Sequence, residues 1–113
     1  MLFRSSADPV NYIAAAVAAR PVVLTQVIGD IVVPNSATQR LISATPFTKA
    51  SAAGLTPVAA GSPVWVNFTA GSHGSLLDFA DLAVTTEMQT HAASFAATGG
   101  AAFQIVNSGL LQP

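Results

Sequence analysis

"PVVLTQVIGD", residues 21–30, is the stretch on which the fold turns. Residues 21–28 are rich in β-branched side chains and almost continuously apolar. A half-solvated strand alternates apolar and polar residues, whereas a strand covered on both faces, as in a parallel sheet, reads as an unbroken apolar run. A second run of this kind, "PVWVNF" at residues 63–68, empties into "TAGSHGS" at residues 69–75. Two buried strands, each ending in a glycine-bearing loop, give the chain its frame.

Helical signals lie around these runs. Asp8 as N-cap and Pro9 at the first helical position predict a helix over residues 11–19, stopped at Arg20-Pro21. Ser36 and Gln39 have the spacing of a capping box that opens a short helix. Residues 45–63, rich in Pro, Gly, Ala, Ser and Thr, read as a loop excursion. The strongest helix covers residues 81–98 and closes at Gly99-Gly100, with Leu82, Met88, Ala92, Phe95 and Ala96 expected on its buried face. "AAFQIV", residues 101–106, is expected as a terminal strand. Helices thus alternate with buried strands, which predicts a three-layer α/β architecture with a mostly parallel sheet. No internal repeat or long linker divides the chain, so residues 1–113 are expected to form a single domain.

The bulk composition narrows the function. Apolar residues make up 51% of the 113-residue chain and charged residues 8%, against roughly 25% charged in ordinary globular chains. Such thin polar cover predicts a surface meant to be covered, by a homo-oligomer partner or by further chain. Net charge is −1, and the four basic residues, Arg4, Arg20, Arg40 and Lys49, are scattered. Nucleic acid and anionic lipid both need clustered Lys and Arg, so neither is an expected partner. Without cysteine there is no disulfide, thiolate metal site or thiol nucleophile. The first twelve residues lack the apolar segment of a signal peptide. Arg20-Pro21 and Asp30 interrupt the best apolar stretch well short of the roughly 20 residues a membrane span needs.

Chemistry is expected where the two strands end, because open α/β sheets build their sites beyond the carboxyl ends of their strands. Asp30 stands at one such end and His73 at the other. Gly29, Gly71 and Gly74 allow these loops tight turns and close backbone approach. If the strands are neighbours, Asp30 and His73 face each other across one crevice. A carboxylate accepting the imidazole Nδ1–H fixes the tautomer and stabilises the imidazolium formed in general-base catalysis.

"VIGDIVVPN" and "AGSHGSLLD" resemble the acid and histidine segments near the C-terminus of α/β-hydrolases, most closely the bacterial extracellular lipases and esterases. The similarity spans residues 8–100, and Asp30 preceding His73 agrees with that superfamily's order of serine, acid, histidine. It implies a partial α/β-hydrolase fold, with Asp30 as the triad acid and His73 as the catalytic base. The parent would be a secreted or surface-attached serine lipase or carboxylesterase acting on fatty-acyl esters, with no cofactor and no metal. The chain departs from the pattern in having no Gly-x-Ser-x-Gly nucleophile elbow, since "GSHGS" has the wrong spacing. The expectation is therefore the C-terminal part of a catalytic domain, inactive in isolation, whose partner is the missing N-terminal part.

Other residues are assigned plainer roles. Asp81 is expected to cap the long helix, and Asp78 stands too near His73 in sequence to be its usual partner. A metal set of His73, Asp78, Asp81 and His91 matches no ligand spacing. Asn67-Phe68-Thr69 fits a glycosylation sequon but lies in a buried strand. Trp65 and Phe68 are expected in the core, and Ser72 and Ser75 in turns. The competing class is a non-catalytic α/β domain acting by self-association or by binding a partner chain.

Overall fold

The structure is a computed structural model that describes residues 9–30, 32 and 35–113. A short 3-10 turn, Pro9–Asn11, leads into α1 (Ile13–Ala19), and β1 (Val23–Val27) follows the Arg20-Pro21 break. Asp8, the expected N-cap, lies outside the described residues. Next come α2 (Asn35–Ala44), β2 (Thr48–Lys49), β3 (Gly54–Pro57) and β4 (Val64–Phe68). A 3-10 turn at Phe79–Asp81 then opens α3 (Leu82–Ala97), and β5 (Ala102–Ile105) closes the order of strands.

The architecture is α/β with a small, mostly parallel sheet. In the three-stranded sheet β4 is central, with β1 on one side and β2 on the other, both parallel to it. The register pairs Val23 with Val64 and Val27 with Phe68, so both strands end at the same level. One face presents Val23, Thr25 and Val27 beside Val64, Val66 and Phe68. Because side chains alternate along a strand, the other face presents Gln26 and Asn67.

α3 covers the apolar face. Phe68, Val66, Val84, Phe103 and Ile105 are fully buried, and with Val27, Met88 and Leu111 they form one core cluster. The opposite face is polar. Asn67 accepts a hydrogen bond from Gln26 Nε2 at 3.2 Å and donates to Gln112 Oε1 at 2.6 Å. Gln39 of α2 reaches Gln26 Oε1 from the same side at 3.4 Å. Buried side-chain amides this well paired offset their own desolvation cost.

Four expectations are corrected by these contacts. The terminal strand β5 does not join the parallel sheet; it pairs antiparallel with β3, Gly54 opposite Ile105. Residues 45–63 are not one loop, since they contain β2 and β3. Ser36 lies inside α2 rather than capping it, and Gln39 turns to Gln26. The buried face of α3 is Val84, Thr85, Glu87, Met88 and His91, whereas Leu82, Ala92 and Ala96 are exposed and Phe95 half-buried. Asp81 does cap α3, its Oδ1 accepting the Val84 N–H at 3.3 Å. No helix among the described residues is long and apolar enough to cross a membrane.

Candidate active site

The acid loop is a tight turn at the end of β1. The Asp30 N–H donates to the Val27 carbonyl at 3.2 Å, with Gly29 at φ +80 in the third position, where a positive φ favours glycine. The turn lifts Asp30 to the rim of the sheet. Its Oδ1 accepts the Val32 N–H at 2.8 Å, a local Asx-type bond that fixes the carboxylate rotamer.

The histidine loop leaves β4 next door. Gly71 adopts φ +103, and a Cβ there would stand 2.8 Å from Val84 Cγ1 and 2.9 Å from Ser75 Oγ. Only glycine lets the loop lie this close to the first turn of α3. Gly74 has no such demand, as its φ is not positive and its surroundings are open. Ser75 Oγ accepts the Ser72 N–H at 2.7 Å, and the Ser75 N–H returns to the Ser72 carbonyl at 3.1 Å. The buried hydroxyl of Thr85 lies 2.6 Å from the carbonyl oxygens of both Ser75 and Asp78, and its one proton serves either. Thr85 therefore fastens the loop onto α3.

Between these loops His73 Nδ1 meets Asp30 Oδ2 at 2.8 Å. The carboxylate is largely buried, with 10% of its side chain exposed, whereas the imidazole is 49% exposed. A shielded acid behind an accessible ring suits the Nδ1–H tautomer, which leaves Nε2 free to accept a proton from a third group. Among the described residues no hydroxyl bonds that ring. Ser72 and Ser75 bond each other's groups instead. Asp78 accepts the Ala80 N–H and plays no part in the pair.

Behind the pair a cleft of about 390 Å³ opens between β1 and α3. Val23, Thr25 and Val27 form one wall and Met88, His91, Ala92 and Phe95 the other, with Asp30, His73 and Leu76 completing the lining. His91 is buried here between the rings of Phe68 and Phe103, with centroids 5.7 and 5.1 Å away. Neither of its ring nitrogens has a hydrogen-bond partner, and Nε2 lies 3.7 Å from Glu87 Oε2. Burial pulls the His91 pKa below its ordinary value, and the Glu87 carboxylate opposes this only in part. Glu87 is occupied elsewhere: it accepts the Val106 N–H at 2.7 Å and also the Asn107 N–H, tying the chain after β5 to α3.

Thr85, Glu87 and His91 were not singled out for these roles by sequence reasoning. Their i, i+2, i+6 spacing inside an Ala-rich helix carries no motif. No cluster of three or more His, Cys, Asp or Glu suited to a metal ion occurs among the described residues. No protein family, curated protein or solved structure matches the chain.

Proposed function

We propose that this chain is the C-terminal part of a serine carboxylesterase or lipase of the α/β-hydrolase type, with His73 as general base and acid and Asp30 as its orienting carboxylate. The observation that carries the reading is the 2.8 Å Asp30–His73 contact at the ends of two adjacent parallel strands. The nucleophilic serine would come from outside this chain, upstream of the acid in the order of that superfamily.

The pair's chemistry follows from its geometry. His73 Nε2 takes the serine proton as the serine oxygen bonds to the ester carbonyl, and the imidazolium is stabilised through Nδ1–H by Asp30. The same proton then passes to the departing alcohol, leaving an acyl-enzyme. Water, deprotonated by His73, repeats the sequence and releases the acid. A polypeptide joining this chain to the sequence encoded upstream should hydrolyse p-nitrophenyl butyrate. His73→Ala should lower its kcat by roughly 10⁴-fold or more. Unchanged turnover in His73→Ala would sink the esterase reading.

A second reading, association without catalysis, has its own support. The outer edge of β1 has no strand partner among the described residues, and Leu77 and Phe79 are exposed beside the histidine loop. An unpaired strand edge accepts added strands. This reading requires oligomerisation that is indifferent to His73→Ala.

A further inference from the structure

Covalent chemistry needs an electron pair that can reach a substrate, and few side chains of this chain offer one. The sequence has no cysteine and a single lysine, Lys49. Its Nζ donates to Gln112 Oε1 at 3.1 Å and to the Pro113 carbonyl at 2.9 Å, and it lies over the Trp65 ring. His91 is buried, with both ring nitrogens out of reach of solvent. Ser72 and Ser75 bond each other's groups rather than a base. His73 differs from all of these. Its side chain is 49% exposed, and Asp30 Oδ2 holds Nδ1 at 2.8 Å. With the proton on Nδ1, the Nε2 lone pair points away from the carboxylate. Among the described residues no lysine or arginine lines the adjoining cleft, so an anionic donor meets no countercharge there.

We propose that His73 Nε2 is itself an acyl acceptor, giving this chain a serine-independent hydrolysis of neutral, activated acyl donors such as aryl esters and thioesters. The activity stands on the Asp30–His73 pair alone and needs no part of the esterase reading. Histidine is among the side chains that form covalent intermediates. Nε2 bonds to the carbonyl carbon, the bond from that carbon to the phenol oxygen or thiol sulfur breaks, and its electron pair leaves with the phenolate or thiolate. The ring is left as an acyl-imidazolium, whose charge Asp30 balances through Nδ1–H. Water then adds to the acyl carbon and the Nε2–carbon bond breaks, its pair returning to the ring. The carboxylic acid departs and one proton goes to solvent. Leaving groups set the substrate class, because the tetrahedral intermediate expels whichever group parts more readily. Against an alkoxide that group is the imidazole, and the attack reverts. Against a phenolate or thiolate the reaction goes forward, so alkyl esters stay outside this activity.

The test uses the 113-residue chain by itself, with p-nitrophenyl acetate as the activated donor and ethyl acetate as the alkyl ester. Release of p-nitrophenolate should continue over many turnovers, which amides formed at amine groups cannot support. His73→Ala should lower that rate by about tenfold or more, and Asp30→Asn, which removes the charge behind the ring, by about tenfold. His73→Gln, closer in size to the native residue, should match His73→Ala, and melting curves of all variants confirm that they remain folded. Lys49→Arg should leave the rate unchanged, and ethyl acetate should stay intact. On the plateau of the pH profile, first-turnover release should be equally fast in D2O, because no proton moves as Nε2 attacks. Slowing in D2O would mean that His73 only deprotonates water, and would overturn the proposal. Indifference to both His73 variants, or cleavage of ethyl acetate at a comparable rate, would overturn it as well. Alkyl-ester hydrolysis by the polypeptide extended upstream, with the 113-residue chain silent towards the aryl ester, would overturn this proposal and leave the esterase reading standing. His73-dependent aryl-ester turnover by the chain alone, with no alkyl-ester hydrolysis by the extended polypeptide, would do the reverse.

Discussion

Replacing His91 with leucine should stabilise the protein, although it removes a buried polar side chain. His91 is about 5% exposed and neither ring nitrogen finds a partner. A buried polar group left unpaired costs about 1–3 kcal/mol, and leucine carries none. The loss on the other side is the ring contact with Phe68 and Phe103, of order 1 kcal/mol. Helix propensity slightly favours leucine at this position. The net expectation is a gain of about 1 kcal/mol near neutral pH, which for a domain of this size raises the melting temperature by about 4–8 °C. The difference should also depend on pH, and its sign is fixed. Burial lowers the folded-state pKa of His91, so between that value and the ordinary value of about 6.5 the unfolded chain binds a proton that the folded chain refuses. Wild-type stability therefore falls as pH drops through this window and levels off below it, while His91→Leu lacks this component. Thermal and urea unfolding followed by circular dichroism at about pH 7.5 and pH 5 measures both. A variant less stable than wild type at both pH values would refute the reasoning, because it would mean that the nitrogens are satisfied in solution.

Three further substitutions probe the supports of the site. Glu87→Leu strips the acceptor from the Val106 and Asn107 N–H groups; it should cost about 2–4 kcal/mol in urea unfolding, with Glu87→Gln losing less. Gly71→Ala forces a side chain into φ +103 and against Val84, so a loss of about 2–4 kcal/mol is expected, read as a lower melting temperature. Thr85→Val keeps the shape but removes the bond to the Ser75 and Asp78 carbonyls. It should cost about 1–3 kcal/mol and speed hydrogen exchange in residues 72–78, which a rigid loop held by other contacts would not show.

The frame of the site was legible in the sequence because local chemistry dictates it. The apolar runs at residues 21–28 and 63–68 became the adjacent strands β1 and β4; β4 is buried along nearly its whole length as expected, whereas β1 at the sheet edge leaves Thr25 exposed. Gly29 and Gly71 mark the turns that bring Asp30 and His73 together. The rest depends on partners far away in the chain. β3 consists of Gly54, Leu55, Thr56 and Pro57, a poor strand by composition that is tolerated at an edge by pairing with β5. The buried face of α3 is hard to read from sequence because alanines give little amphipathic contrast, and because three of its buried positions are polar. Thr85 and Glu87 are buried to hold backbone groups of the histidine loop and of the segment after β5. Nothing in the helix's own sequence announces those partners.

The central claim is that Asp30 acts through His73, and a double-mutant cycle on ester hydrolysis tests it most directly. In the polypeptide extended upstream, kcat/KM for p-nitrophenyl butyrate is measured for wild type, Asp30→Asn, His73→Ala and the double variant. Residues acting as one unit are strongly non-additive. The geometry therefore predicts that the double variant is no slower than His73→Ala alone. A double variant slower by the product of the two single losses would show that Asp30 and His73 act independently, and would contradict the pair as a catalytic unit.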